Sequence, residues 1–319
     1  KFLLFINERG PAGKQQETNM EITSKSKAAN KLKRKNTLTA LSFIAPNFIG
    51  FFLFTLVPVV FSLILAFMEW DSFSSPEFVG MKNFSKMLGD DTFWISLKNT
   101  FLYTIGVVPL TLVCSLGLAI LLNKKVRGMK FFRTAFFFPY VTSLVAIAVV
   151  WNMLFHPTMG PINQFLKFFI ENPPGWTSSS DWALTAIIIV SVWRGMGYYM
   201  ILYLAGLQSV PKELYEAASI DGANKWQQFR NVTLPSLRPT TFFVSIMLVI
   251  NCFKIFDLVQ VMTAGGPGRA TNVLVYQIYN EAFVKFNFGY ASAIAMVLFV
   301  IVLGITVIQF KWNQRQERV

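Results

Sequence analysis

Residues 100–123 read TFLYTIGVVPLTLVCSLGLAILLN, 24 positions without a charged side chain. A bilayer hydrocarbon core of about 30 Å is crossed by roughly 20 helical residues, so this run predicts a membrane-spanning helix. Leu41–Met68, Thr134–Phe155, Ala183–Leu207 and Phe288–Phe310 have the same character, although Arg194 interrupts one of them. A sixth stretch, Thr240–Met262, carries Lys254 and Asp257. The whole chain of 319 residues is 54% hydrophobic with 33 Phe and only 14% charged, outside the usual soluble balance. The expected fold class is all-α, a polytopic membrane protein with about six transmembrane helices.

The charges between the spans set the orientation, because Lys and Arg are retained on the cytoplasmic side. Segments 1–37, 124–133, 208–239 and 311–319 hold 21 basic and 7 acidic residues, whereas 69–99, 156–181 and 263–287 hold 6 basic and 8 acidic. Both termini are therefore expected in the cytoplasm of a multi-pass cell-membrane protein. A net charge of +13 could suggest nucleic acid, but the basic residues are dispersed between apolar blocks and read as topology. The run KSKAANKLKRK at 25–35 would hold the N-terminus inside and meet anionic membrane lipid. The expected organisation is a basic cytoplasmic segment 1–37, one transmembrane domain 38–312 and a cytoplasmic tail 313–319. FLLFI at 2–6 is too short for a signal-sequence core, and Met20 is a candidate natural start.

Little in the chain suits catalysis or metal binding. Cys114 and Cys252 lie far apart inside apolar runs and read as packing thiols, and the single histidine, His156, stands at the end of a span. No catalytic or metal-ligating residue is expected. No GxxxxGK[ST] phosphate cradle occurs, and the glycines of GGPGR at 265–269 fall on the outer side.

The cytoplasmic loop 208–239 is not a linker. It contains EAASIDGANKWQQFRNVTLP at 216–235. Pro211 suits a first helical position, Lys212 to Ile220 reads as a short helix, and Asp221-Gly222 interrupts it with a residue free to take positive φ. Asn224 to Arg230 reads as a second short helix, which Pro235 and Pro239 stop before the next span. Small alanines beside acids allow close approach by another protein, whereas an interfacial helix would favour bulky apolar residues rimmed by Lys and Arg. The pattern predicts a docking knob.

At these residues the chain resembles the permease subunits of ABC importers, whose cytoplasmic loop carries Glu-Ala-Ala, a Gly and then Leu-Pro. The matching positions are Glu216, Ala217, Ala218, Asp221, Gly222, Ala223 and Thr233-Leu234-Pro235. Trp193-x-Gly195, Gly265-Gly266-Pro267 and YASA at 290–293 make it most similar to the carbohydrate branch, in particular the first of the two unlike permeases of maltose-type importers. The resemblance covers roughly residues 40–315. It implies the type I importer permease fold and a coupling loop in which Glu216, Ala217, Ala218, Asp221, Gly222, Ala223 and Pro235 engage an ATPase. It also implies a second, unlike permease, two cytosolic ATPase subunits that use ATP and Mg, and an extracytoplasmic sugar-binding protein. This chain is expected to bind no cofactor itself.

Charged residues inside spans cost about 2.5–3.5 kcal/mol each if exposed to lipid, so Arg194, Lys254 and Asp257 should face the bundle interior. Lys254 and Asp257 stand three apart on the fifth helix, so they are expected to share a face and can pair. Lys254 lies about 21 Å from the inner end of its span and Arg194 about 18 Å from the outer end of its own, so their depths overlap. Tyr198, Asn251, Trp193 and Tyr199 add groups that hydrogen-bond or stack on sugars, and Gly195 and Tyr198 match the pattern of the family's sugar pocket. Candidate substrate contacts are thus Arg194, Tyr198, Asn251, Lys254 and Asp257. The cations suit an acidic saccharide, and a structural ion pair explains them equally well. Trp151 and the Pro139-Tyr140 dipeptide read as packing. The rivals are a secondary transporter driven by an ion gradient, against which the spans show no inverted repeat, and an intramembrane enzyme, for which the chain lacks a nucleophile–base set.

Overall fold

The computed structural model describes residues 35–37, 39–124 and 128–317. The run at 25–35, apart from Lys35, and Met20 lie outside the described residues. The chain forms two units, 1–62 and 63–319. In the first begins helix α1, Lys35–Leu65, long and apolar enough to cross a bilayer. One turn, Phe52–Leu56, widens to a π-helix just ahead of Pro58, which has no N–H to continue the ladder.

In the second unit Met68–Glu69 pairs antiparallel with Glu77–Phe78 as a short hairpin, β1 and β2. Helix α2, Lys82–Leu88, leads into α3, Asp91–Leu122. Asp90 caps α3 by accepting from the Thr92 amide at 2.8 Å. Then come α4, Met129–Val141, α5, Leu144–Leu154, and a short helix α6, Pro161–Leu166. Helix α7, Ala183–Gln208, packs along α3 through Tyr103, Val107, Ile187 and Val190 in one buried cluster and Ala119, Met200 and Tyr203 in another. Helix α8, Lys212–Ile220, and α9, Lys225–Ser236, form the knob. Helix α10, Arg238–Phe253, α11, Asp257–Met262, and α12, Leu274–Tyr279, precede the final helix α13, Phe288–Glu317.

Among the described residues four helices are long and apolar enough to span a bilayer, and six spans result if each of two bent pairs, α4 with α5 and α9 with α10, counts as one. The uninterrupted span expected at 134–155 is instead broken: α4 and α5 meet at 98°. Thr142 and Ser143 take extended backbone there, and the Thr142 amide and hydroxyl both donate to the Phe138 carbonyl, at 3.1 and 2.9 Å. The span expected at 240–262 is also corrected. Helix α10 stops at Phe253, and Lys254 to Phe256 form a non-helical elbow before α11. Apolar content cannot report such breaks, since a bent run is as hydrophobic as a straight one.

Close packing relies on glycine where backbones touch. A side chain at Gly197 of α7 would strike the Phe136 carbonyl of α4, so only hydrogen fits, in keeping with small residues at membrane helix contacts. At the N-terminal end of α3 Asp90 gathers α3, α12 and α13, accepting from Tyr290 at 2.7 Å and from Gln277 at 3.2 Å. Burial alone would raise the Asp90 carboxyl, but the hydrogen bonds from Tyr290 and Thr92 outweigh it and hold the pKa below the usual carboxylate value.

Gly197→Leu should cost at least about 3 kcal/mol, measured as thermal unfolding of the purified chain in detergent, whereas Gly117→Leu, where nothing lies within 4 Å, should be tolerated. Because the folded Asp90 pKa is depressed, its contribution is full above the unfolded value of about 3.9 and fades as pH falls through the folded one. Asp90→Asn should therefore be less stable at neutral pH yet lose less than the parent between about pH 5 and 3 in the same measurement.

Candidate functional site

Both broken spans bend at the same place. A cavity of about 310 Å³ is lined by Tyr140 and Leu144 from either side of the α4–α5 bend and by Lys254 to Leu258 from the α10–α11 elbow. The walls are completed by Tyr103 of α3, Ser191, Arg194 and Tyr199 of α7, and Asn251 of α10. Freed backbone groups are tolerated at membrane depth where they border such a cavity, and Asp257 lies in the first turn of α11, the favourable end of the helix dipole for an acid.

Arg194 Nη2 donates to the Tyr140 carbonyl at 3.2 Å, and its guanidinium lies 5.1 Å from the centre of the Tyr140 ring. Its Nε is buried without a hydrogen-bond partner. Tyr140 in turn stacks on Tyr198, centroids 4.3 Å apart at 10°. Asn251 donates to the Tyr199 hydroxyl at 3.3 Å, and Tyr103 to Ser191 at 2.8 Å. Of the expected substrate residues, Arg194, Asn251, Lys254 and Asp257 are brought together on the cavity wall. Tyr198 is not among the lining residues, because Tyr140 covers it.

The expected helical pairing of Lys254 with Asp257 does not occur. The elbow between them removes the common face, and the ion pairs among the described residues are Lys82–Glu69 and Lys285–Glu281. Three intramembrane charges thus border one cavity without a salt-bridge partner. The packing reading of Tyr140 is also corrected, since its ring shields Arg194 and faces the cavity. Proximity in sequence carried no signal for it, nor for Tyr103 and Ser191. Trp151 and Trp193 pack edge to face at 5.3 Å against the apolar core. His156 lies in an exposed turn after α5, where Nδ1 accepts from the Met159 amide at 3.2 Å. Among the described residues no cluster of His, Cys, Asp or Glu could hold a metal.

At the other end of α10 lies the knob. Helix α8 ends in a closing motif in which the Gly222 amide bonds the Ser219 carbonyl at 3.1 Å and the Ala223 amide the Ala218 carbonyl at 2.8 Å. This motif requires a left-handed residue, and Gly222 supplies φ of +80°. Asn224 follows at once as a capping box with Gln227 for α9. Gln228 Nε2 donates to Ser219 at 2.8 Å and the Tyr215 and Thr233 hydroxyls meet at 3.0 Å, so the corner is locked from within. Glu216, Ala217, Asp221 and Gly222 are exposed, while Ala218, Ala223 and Pro235 are half-buried. Ile220 at 87% and Trp226 at 66% exposure form an apolar tip; Ile220 escapes sequence reading because it lies outside the alanine face.

Spanning helices broken at a polar intramembrane cavity, with a rigid helical knob at one end, define a membrane transport permease. Residues 111–315 match the family of binding-protein-dependent transport system inner membrane components, and the chain belongs to that family. It is 40% identical over 283 residues, 87% of this chain and 91% of the relative, to the probable ABC transporter permease protein YesP of Bacillus subtilis (strain 168). It is 34% identical over 284 residues, 89% of this chain and 96% of the relative, to the probable starch degradation products transport system permease protein AmyD of Thermoanaerobacterium thermosulfurigenes. A chain from the crystal structure of a bacterial ABC transporter involved in the import of the acidic polysaccharide alginate shares the fold, with TM-score 0.78 at 22% identity, covering 91% of this chain and 99% of that one. The fold is that of a type I ABC importer permease.

Proposed function

We propose that this chain is one of two unlike permease subunits of an ATP-driven importer for oligosaccharides, forming half of the path and taking its drive from outside itself. The observation that carries the reading is the knob: a prelocked helix–glycine–helix corner that leaves Ile220 and Trp226 bare beside Glu216 and Asp221. Apolar tips rimmed by acids are costly in water and suit a groove on a partner. In this reading the knob faces the cytoplasm, as do both termini, and seats on one of two ATPase subunits that bind ATP and Mg. An external sugar-binding protein delivers the solute. The chain is then a conduit with no catalysis of its own, and a secondary transporter would leave the knob without a task.

The cavity chemistry deepens the substrate class. Arg194 and Lys254 against Asp257 leave a net positive lining with no ion pair inside it, which suits a carboxylated sugar unit. Tyr140 and Tyr199 add ring faces for the sugar's C–H surface, and Asn251 an amide.

In the reconstituted assembly, Glu216→Lys should reduce substrate-stimulated ATP hydrolysis at least about tenfold, the loss of about 1.4 kcal/mol of coupling. At Gly222 a Cβ meets nothing within 4 Å, so the cost is conformational, about 1–2 kcal/mol for a left-handed side chain. Gly222→Asn should therefore retain most coupling and Gly222→Val little, and equal activity of all variants would refute docking. Lys254→Met should weaken uptake of an acidic oligosaccharide about tenfold while sparing a neutral one, as uptake assays with both sugars would check.

A further inference from the structure

A second cavity of about 510 Å³ lies beside the knob, between α10 and α13, and the transport reading makes no use of it. Its mouth carries Arg230 and Arg238, exposed and free of any carboxylate partner among the described residues, with Trp312 on the facing helix. Thr241, Ser245 and Gln309 line the wall further in, and Gln309 Oε1 is buried without a hydrogen-bond partner. Phe242 and Leu112 add apolar surface to the same lining. From Arg238 to Ser245 the groove follows α10 for about 10 Å, the depth from head groups into the upper acyl region.

We infer that this groove holds an anionic phospholipid of the cytoplasmic leaflet, its phosphate on the two arginines and one acyl chain along Phe242 and Leu112. Paired guanidinium groups present forked donors that match phosphate oxygens, and basic pockets between spans on the cytoplasmic side are suited to acidic head groups. Trp312 stands where an interfacial indole is favoured, apolar ring toward the chain and N–H toward the head group. A peptide segment from another subunit would leave two arginines facing an apolar interior, whereas a phospholipid satisfies both halves. The knob contacts an ATPase in the proposed function, so a lipid seated where the knob joins α10 would stiffen that joint. The inference takes from that reading only the placing of this end at the inner leaflet.

The test is native mass spectrometry of the assembly purified from vesicles of phosphatidylcholine with phosphatidylglycerol. Retained phosphatidylglycerol should exceed phosphatidylcholine and fall about 30-fold in the Arg230→Gln, Arg238→Gln double variant, two charges at about five- to sixfold each. The Arg230→Lys, Arg238→Lys variant should keep a measurable part, which separates binding from misfolding. Brominated phosphatidylglycerol should quench a fluorescence component that Trp312→Phe removes. Equal retention of the two lipids, retention unchanged by the double Gln variant, displacement by inorganic phosphate, or a Ser245→Cys cross-link to the second permease would each overturn the inference. Labelling of Gln227→Cys by an impermeant maleimide from the knob side tests the orientation separately, so an error there is not mistaken for the absence of lipid.

Discussion

The constraint on which the structure depends is that a backbone in hydrocarbon must satisfy every N–H and C=O within its own helix, unless protein or a wet cavity takes the surplus. Most of the spanning helices comply. The third and fifth apolar runs do not, and their two interruptions border the same space. That coincidence gives the space its polar wall: each break exposes polar backbone, and each brings polar side chains of its own, Tyr140 from one and Lys254 and Asp257 from the other. The charge of Arg194 is then admitted at membrane depth because the Tyr140 carbonyl and ring receive it.

Helix α10 links this space to the knob. It starts at Arg238, one residue after the turn at Leu237 that ends α9, and finishes at the elbow that supplies Lys254. The turn is held by full burial of Leu237 in the core and by Pro239 at the start of the helix. One helix about 24 Å long thus joins the knob to the cavity wall. Gln228 and Tyr215 lock the knob from within, so its corner is held by its own hydrogen bonds.

The same elements explain where packing is strictest. Gly197 lets α7 touch the backbone of α4 immediately before the bend that carries Tyr140, so the position of that bend is set by a contact with no side chain in it. At the N-terminal end of α3 Asp90 performs the equivalent task with polar chemistry, collecting Tyr290 and Gln277 onto the cap of α3. Asn99 adds bonds of 3.0 Å to the carbonyls of Arg269 and Asn272, which fastens the loop before α12 to the same helix.

Sequence by itself determined that the chain crosses a membrane repeatedly, because span length and apolar content are set by bilayer thickness. It also marked the knob, because the left-handed corner at Gly222 and the cap at Asn224 are local chemistry written in adjacent residues. It brought Arg194 and Lys254 to overlapping depth through helical rise alone. Only the tertiary structure decided that Lys254 and Asp257 stand on separate helices, that Tyr198 is covered, and that Tyr140, Tyr103 and Ser191 join the wall. The reason is physical: a helix break inside an apolar run changes neither composition nor hydrophobicity, and its site is chosen by which neighbouring backbone and side chains can accept the groups it frees.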